Sequence, residues 1–401
     1  MTYKMEKLGD HIDIVSGYAF KSKDFVESGV PVVKIKNVTP PSVTLKDLSY
    51  VSEELSESVP KFVLKYDDVL IALTGSHINQ MASVVGRVAR VKYHDKTVMN
   101  QRVGKIVSKD DNDCDINYVY YYLSQEQIKV TLASKAGGAA NQANISPSDV
   151  KNLIIPFPGI EEQRRISSML KAYDDLIEKK QKVIDLLEES SQRLYKEWFI
   201  DLRFPGYKET EIDDGVPSGW RIVTLSDIAN VIMGQSPKSE YYNQIKEGLP
   251  FHQGVGSYGN RFVIDETYST SYTKIAEAGS ILFSVRAPVG RLNLTKNKIV
   301  IGRGLSAMNH KNRLQSYLFY LLKERFFKED MVGNGSIFAS ISKDELLGQK
   351  FLVPTDELAK KYNDIVSPFD EQIAIIDSEI KQLNEARDRL LPKLMSGEIE
   401  L

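Results

Sequence analysis

The stretch IEEQRRISSMLKAYDDLIEKKQKVIDLLEESSQRLYKEWF, residues 160–199, decides the fold. Steps alternating between four and three residues from Ile166 meet Leu170, Tyr173, Ile177, Lys180, Ile184, Leu187, Ser191, Leu194 and Trp198, and eight of these ten positions are apolar. A 3.5-residue apolar period keeps one stripe of a helix facing a partner helix, so this is a coiled-coil seam. The stretch has no proline, and the spacing predicts one unbroken helix from about 160 to 199.

A second seam lies near the end of the chain. The same stepping from Phe369 meets Ile373, Ile376, Ile380, Leu383, Arg387, Leu390 and Leu394, seven of eight apolar. At an offset of 196 residues the seams superpose, Tyr173 on Phe369, Ile177 on Ile373, Leu187 on Leu383 and Leu194 on Leu390. Ser367 suits an N-cap, Pro368 the first helical position and Asp370 a capping box, so this helix is expected to start there, after a shorter helical piece from Asp356 to Val366.

The helices are only part of a longer repeat. Leu8 to Gly17 has a counterpart in Leu225 to Gly234, Val69 to Ala72 in Ile281 to Ser284, Gly86-Arg87-Val88 in Gly290-Arg291-Leu292, Tyr118 to Tyr121 in Tyr317 to Tyr320, and Ile145-Ser146 in Ile341-Ser342. The last pair runs on to Pro156 and Pro354. The offsets drift from 217 to 196, as expected if the second copy has shorter loops. Between the first helix and the second copy, Pro205, Gly206, Gly215, Pro217 and Gly219 read as a linker.

The expected layout is a globular domain over 1–157, a long helix over 158–200, a linker over 201–219, a second domain over 220–355 and a second long helix over 356–401. The fold class is α+β, two similar mixed α/β domains separated by two long helices. Two like units sharing one seam can be related by a pseudo-twofold axis only if the helices run antiparallel. Matched seams within one chain favour this internal pairing over a homodimer built through the helices.

The 401 residues suit two domains, and 42% hydrophobic with 26% charged residues is ordinary globular composition. The single cysteine, Cys114, excludes a disulfide framework and a cysteine-built zinc site, and fits a reducing, cytoplasmic compartment. No apolar run approaches the roughly 18 residues of a membrane span, and the first residues do not form a signal peptide.

Catalytic signatures fail on inspection. Gly254 to Gly259 fits G-x-G-x-x-G by letter, but a strand-like Asn260 to Asp265 follows where a nucleotide site needs a helix. There is no phosphate-binding loop and no H-E-x-x-H, and His11, His77, His94, His252 and His310 are scattered, so no metal site is expected. Thr39-Pro40-Pro41-Ser42 lacks both the amide or acid and the aromatic of an amino-methylating motif. Cys114 lies in an acidic loop that should raise its pKa, which makes it an improbable nucleophile.

The net charge of −2 argues against a nucleic-acid partner only until it is divided by region. From Ser76 to Lys109 there are seven basic residues and one acid, and from Arg286 to Arg313 seven basic residues and no acid. The second domain as a whole has 17 basic and 11 acidic residues, whereas Asp356 to Leu401 has 6 and 11. Equivalent basic stretches in two copies suit an extended anion. Arginine pairs bidentately with guanine, and asparagine or glutamine with adenine. The candidate DNA-binding residues are therefore Lys34, Lys36, Asn37, Arg87, Asn100, Gln101, Arg102, Asn141 and Gln142 in the first copy, and His252, Gln253, Arg286, Arg291, Arg303, Asn334 and Ser336 in the second. Shared framework with different loops implies a two-part, asymmetric target whose gap is set by the helices. The competing reading is a coiled-coil scaffold that does not read DNA.

The ordered set of repeat starts, Leu8 to Gly17 and Leu225 to Gly234, with Ile145-Ser146 and Ile341-Ser342, resembles the specificity subunits of type I restriction-modification enzymes. Glu161-Glu162-Gln163-Arg164-Arg165-Ile166 resembles that family's helix start, and Leu390 to Glu398 its C-terminal ending. The second helix departs from the pattern, with Asp356-Glu357-Leu358 and no Glu-Gln pair. The resemblance implies a non-catalytic subunit whose two target-recognition domains each read half of a bipartite site in double-stranded DNA. It implies helices that dock two methyltransferase subunits, and restriction subunits as further partners. S-adenosylmethionine, ATP and magnesium would then belong to those partners, and the target adenine would be flipped there.

Overall fold

The computed structural model describes residues 3–75, 84–135, 143–326 and 340–401. It divides into two compact units, Met1–Glu178 with Lys381–Leu401, and Lys179–Ile380. Each holds one globular domain and a stretch of both long helices.

In the first unit, Met5–Lys7 and Ile154–Pro156 pair antiparallel and bring the two ends of the domain together. The larger sheet has the order Ile12–Ser16, Val103–Ser108, Val69–Ala72, Val88–Arg90, Ser42–Val43, Val38–Thr39. Its central strand Val69–Ala72 is apolar throughout because both faces are covered. Side chains alternate across a strand. Val69 and Ile71 join the core that contains Tyr118, Ile166, Leu170 and Leu394, while Leu70 and Ala72 join a second core with Val33, Val38, Met99 and Val103. A smaller sheet has the order Val98–Met99, Val30–Val33, Ser49–Val51, Phe25–Val26, and its first pair is parallel. The helix Ile116–Ser124, capped by the Asp115 side chain, carries Tyr118 and Tyr121 into the main core.

The second unit repeats this plan. Arg221–Thr224 pairs with Lys350–Val353, and the main sheet runs Ala229–Met233, Leu305–His310, Ile281–Ser284, Leu292–Leu294. Ile281 and Phe283 face a core with Tyr195, Trp198, Phe199, Tyr317 and Tyr362, whereas Leu282 faces a separate one with Ala276, Ile299 and Ile301. The parallel pair recurs as Leu249–His252 with Ile299–Ile301. Phe204, in the stretch rich in proline and glycine, is buried and packs at a tilt against Trp220, with 5.5 Å between ring centroids.

The repeat holds at the level of single backbone bonds. Leu8 N–H donates to the Leu153 carbonyl as Leu225 does to Gln349; Gly17 donates to Val103 as Gly234 does to Leu305; Ile145 donates to Leu73 as Ile341 does to Val285. A Cβ on Gly17 would collide with the Asn100 carbonyl, and one on Gly234 with the Gly302 carbonyl, so both positions require glycine. Ser146 with Asp149 and Ser342 with Glu345 form matching capping boxes.

The long helices are Ile160–Phe199 and Asp356–Ser396. They pack antiparallel within each unit: Asp174 meets Arg387 in the first, and Lys180 meets Glu379 and Ser191 meets Tyr362 in the second. Every apolar seam residue is buried or half-buried. The three polar breaks in the seam are all partnered. Lys180 pairs with Glu379 at 2.7 Å, Arg387 pairs with Asp174 at 2.7 Å, and the Ser191 carbonyl accepts from the buried Tyr362 hydroxyl at 2.9 Å. One expectation is overturned. Ser367, Pro368 and Asp370 do not open the second helix; a single helix runs through them from Asp356. Pro368 removes one backbone bond and crowds the preceding turn. Burial of Tyr362 and Val366 before it and Ile373 after it holds the helix together across the break. Asp370, freed from capping, pairs with Arg261.

Candidate nucleic-acid interface

Several of the expected reading residues lie at one corner in each unit. In the first, the parallel pair Val32–Val33 with Val98–Met99 ends where the Asn100 N–H donates to the Val33 carbonyl at 2.9 Å. The chain then turns, closed by the Val103 N–H donating to the Asn100 carbonyl at 2.8 Å, and Gln101 and Arg102 stand exposed at its tip. The Asn100 side chain is engaged locally, its Oδ1 accepting from the Gln101 N–H at 2.9 Å. Lys34 lies alongside, its Nζ donating to Ser49 Oγ at 2.7 Å and sitting 4.2 Å from the Phe25 ring centre. Partial burial, with Lys36 as a nearby cation, lowers the Lys34 pKa. Lys36 itself is exposed.

The second unit builds the same corner. The Gly302 N–H donates to the His252 carbonyl at 2.8 Å, and the Leu305 N–H closes the turn on Gly302 at 3.0 Å. Arg303 is exposed at the tip, its backbone N–H bonded to Ser236 Oγ, and the exposed Gln253 lies beside it. Asn100 therefore matches Gly302 and Val103 matches Leu305, which sets Arg303 opposite Gln101 rather than Arg102.

Two candidates are corrected. Asn37 is buried, its Oδ1 accepting from the Lys34 N–H and its Nδ2 donating to the Lys46 carbonyl; it holds a turn together instead of facing solvent. His252 is 1% exposed, with Nδ1 bonded to Ser257 Oγ at 2.8 Å and Nε2 to Asp265 at 2.9 Å. Both carried the residue type expected of a base reader, and sequence alone did not reveal that their polar atoms are engaged inside the domain. Asn141, Gln142, Asn334 and Ser336 lie outside the described residues.

The two basic stretches are much less available than their composition suggests. Arg90 is buried over the Tyr120 ring at 4.1 Å; Lys92 pairs with Asp67, Lys96 with Glu53 and Lys105 with Asp68. In the second stretch Lys296 pairs with Asp377 and Lys298 with Glu277. Arg87 and Arg102, and Arg286 and Arg303, have no ion-pair partner among the described residues. Arg87 and Arg291 are half-buried at equivalent turns, and Arg286 is exposed opposite Ser340. Of the exposed cations in the two stretches, Arg102 and Arg303 stand at the corner tips, whereas Lys109 and Lys311 lie at the opposite ends of the strands that leave those corners.

Sequence reasoning passed over a further pair. Lys21 and Lys238 are exposed and occupy matching positions, 217 residues apart like Leu8 and Leu225. Each precedes a short helical turn, Ser22–Asp24 or Ser239–Tyr241, and its carbonyl accepts from the residue three places on. The offset shared with the repeat starts was the available signal. Among the described residues no group of side chains is arranged to hold a metal ion.

The sequence matches the family described as the type I restriction modification DNA specificity domain over residues 1–189 and again over 217–385. It is 28% identical to the MjaX specificity subunit of a type I restriction enzyme from Methanocaldococcus jannaschii, over all of this chain and 94% of that protein. It is 26% identical to the MjaIX specificity subunit of the same organism, over 95% of this chain and 93% of the other. The crystal structure of a type I S subunit from M. genitalium shares the fold, with a TM-score of 0.63 at 20% identity, over 98% of this chain and 96% of that one. The chain belongs to the family of type I restriction-modification DNA specificity proteins, and it carries the family's domain twice.

Proposed function

We propose that each globular domain reads one half of a bipartite, asymmetric site in double-stranded DNA through its exposed corner, and that the paired helices set the gap and dock two methyltransferase subunits. The observation that carries this reading is the pair of corners. The same backbone bonds hold Gln101 in one and Arg303 in the other, so one scaffold presents two chemistries. The chain then acts without catalysing. S-adenosylmethionine would sit in the methyltransferase subunits, with ATP and magnesium in associated restriction subunits, all in the cytoplasm.

The test is to map methylated sites in a host that expresses this chain with its methyltransferase subunit. A two-part motif with a fixed gap is expected. A companion measurement of DNA affinity at two salt concentrations separates this reading from a scaffold that ignores DNA, because phosphate contacts give a steep salt dependence. Absence of both the motif and the salt slope would overturn it.

A further inference from the structure

Comparing the two corners position by position sorts their residues by chemistry. What both half-sites share is the phosphate backbone, and what distinguishes them is the base sequence. Residues identical at matching positions therefore suit the backbone, and residues that differ at matching positions suit the bases. The identical pairs Arg87 with Arg291 and Lys109 with Lys311 are, respectively, half-buried and at the far ends of the strands. Lys21 and Lys238 are an exposed matching pair of cations that stays the same beside the tip, on equivalent turns, Lys238 lying 3.8 Å from the exposed Glu240. Their distance from the tip is short along the chain. Gly17 and Tyr18 bond to the turn residues Val103 and Met99, three or four residues before Lys21. Ser236, which receives the Arg303 N–H, is two residues before Lys238. Gln101 and Arg303 are the matching pair that differs, each exposed at the tip of the same turn.

We propose that Lys21 and Lys238 are equivalent phosphate contacts of the two half-sites, and that Gln101 and Arg303 are their equivalent base readers, Gln101 taking an A·T pair and Arg303 a G·C pair. The assignment rests on the DNA-reading function proposed above. A glutamine amide pairs bidentately with adenine, and an arginine fork with guanine, in the major groove. Arg102 becomes a neighbour of the reader rather than the reader, because its match in the second copy, Gly304, has no side chain to read with.

The experiment uses the full chain with its methyltransferase subunit and six variants. Lys21→Ala and Lys238→Ala are expected to leave the methylated motif unchanged while each lowers the slope of log affinity against log salt by about 0.9. Lys21→Arg and Lys238→Arg should restore it. Gln101→Arg and Arg303→Gln are expected to change the preferred base pair at one position, each in a different half of the motif. An unchanged salt slope in the lysine variants, or an unchanged motif in the tip variants, overturns the assignment. If the unmodified complex methylates no two-part motif, the DNA-reading function falls, and this assignment with it.

Discussion

The Tyr121 hydroxyl donates to Asp174 at 2.6 Å, joining a helix of the first globular domain to the first long helix, and Asp174 also accepts from Arg387 of the second long helix at 2.7 Å. The matching carboxylate 196 residues on is Asp370, and it too ties long helix to domain, but with a different donor. Arg261 of the second domain is buried over the Phe319 ring, pairs with Glu188 of the first long helix at 2.8 Å and with Asp370 of the second, and touches the Tyr320 hydroxyl at 3.3 Å. One carboxylate position serves the same joint twice. In the first copy the arginine comes from the helix partner, and in the second it comes from the domain.

Removing the hydroxyl in Tyr121→Phe leaves Asp174 still paired with Arg387. The loss is therefore one hydrogen bond to a charged group, about 1.5–3 kcal/mol. Urea denaturation of the variant should show a lower midpoint with an unchanged slope. A midpoint equal to the parent's would mean that the domain-to-helix bond contributes nothing.

Arg261→Leu removes the charge that bridges two partly buried carboxylates, Glu188 (28% exposed) and Asp370 (18% exposed), and leaves Lys323, 3.9 Å from Glu188, as the remaining cation at this joint. Breaking such a pair costs on the order of 3–5 kcal/mol, less here because both acids keep some water. The triple variant Arg261→Leu with Glu188→Gln and Asp370→Asn should recover part of that loss, because both uncompensated carboxylates are gone and only the Lys323 charge is left. Equal destabilisation of the single and triple variants, read by chemical denaturation, would show that packing rather than charge pairing holds the joint.

Much of the fold was legible because it depends on period and order. The 3.5-residue seams fixed which faces of the helices are buried, and the drifting offsets from 217 to 196 marked matching positions later seen in matching backbone bonds. What stayed hidden depends on tertiary partners. Pro368 carries a local helix-start signal, overridden by buried side chains on both sides of it. Lys92, Lys96 and Lys296 read as free positive charge until Asp67, Glu53 and Asp377, distant in sequence, are placed beside them. His252 and Asn37 fit the chemistry of a base reader, yet burial assigns their polar atoms to neighbours within the domain. Arg303 carries the residue type of a base reader in the second copy, but its partner in register is Gln101 rather than Arg102, which only the turn geometry shows.

Cys114 illustrates an expectation that the structure makes quantitative. The residue is buried, and burial followed by the charges of Asp115 and Asp113 pushes its thiol up to about 12. The thiolate is then negligible at pH 8. Folded protein should not react with a disulfide reagent on the timescale of free cysteine, and one equivalent should react after unfolding in guanidinium. Rapid modification of the folded chain would contradict this burial.

The matching capping boxes give an acid-sensitive contribution to both domains. Bonds from the Ser146 hydroxyl and backbone N–H lower the Asp149 pKa, and bonds from the Ser342 backbone N–H and hydroxyl lower that of Glu345. A carboxyl whose folded pKa lies below its unfolded value stabilises the fold above the unfolded value, near pH 4, and loses that contribution as pH falls through the folded value. Melting temperature should therefore fall more steeply below about pH 4 in the parent than in Asp149→Asn with Glu345→Gln. Parallel curves would remove the boxes from the acid response.

The spacer role of the helices can be tested without disturbing either corner. Inserting seven residues in each long helix, next to Lys180 in the first and next to its ion-pair partner Glu379 in the second, keeps the apolar seam in phase, because seven residues are two periods of 3.5. The insertion adds about 10 Å at 1.5 Å per residue. At ~3.4 Å per base pair the methylated motif should keep both half-sites and widen its gap by about three base pairs. An insertion of four residues also lengthens each helix but throws the seam out of phase, so it should weaken the paired helices more than it shifts the gap. A seven-residue variant that folds, methylates and keeps the original gap would show that something other than helix length sets the spacing.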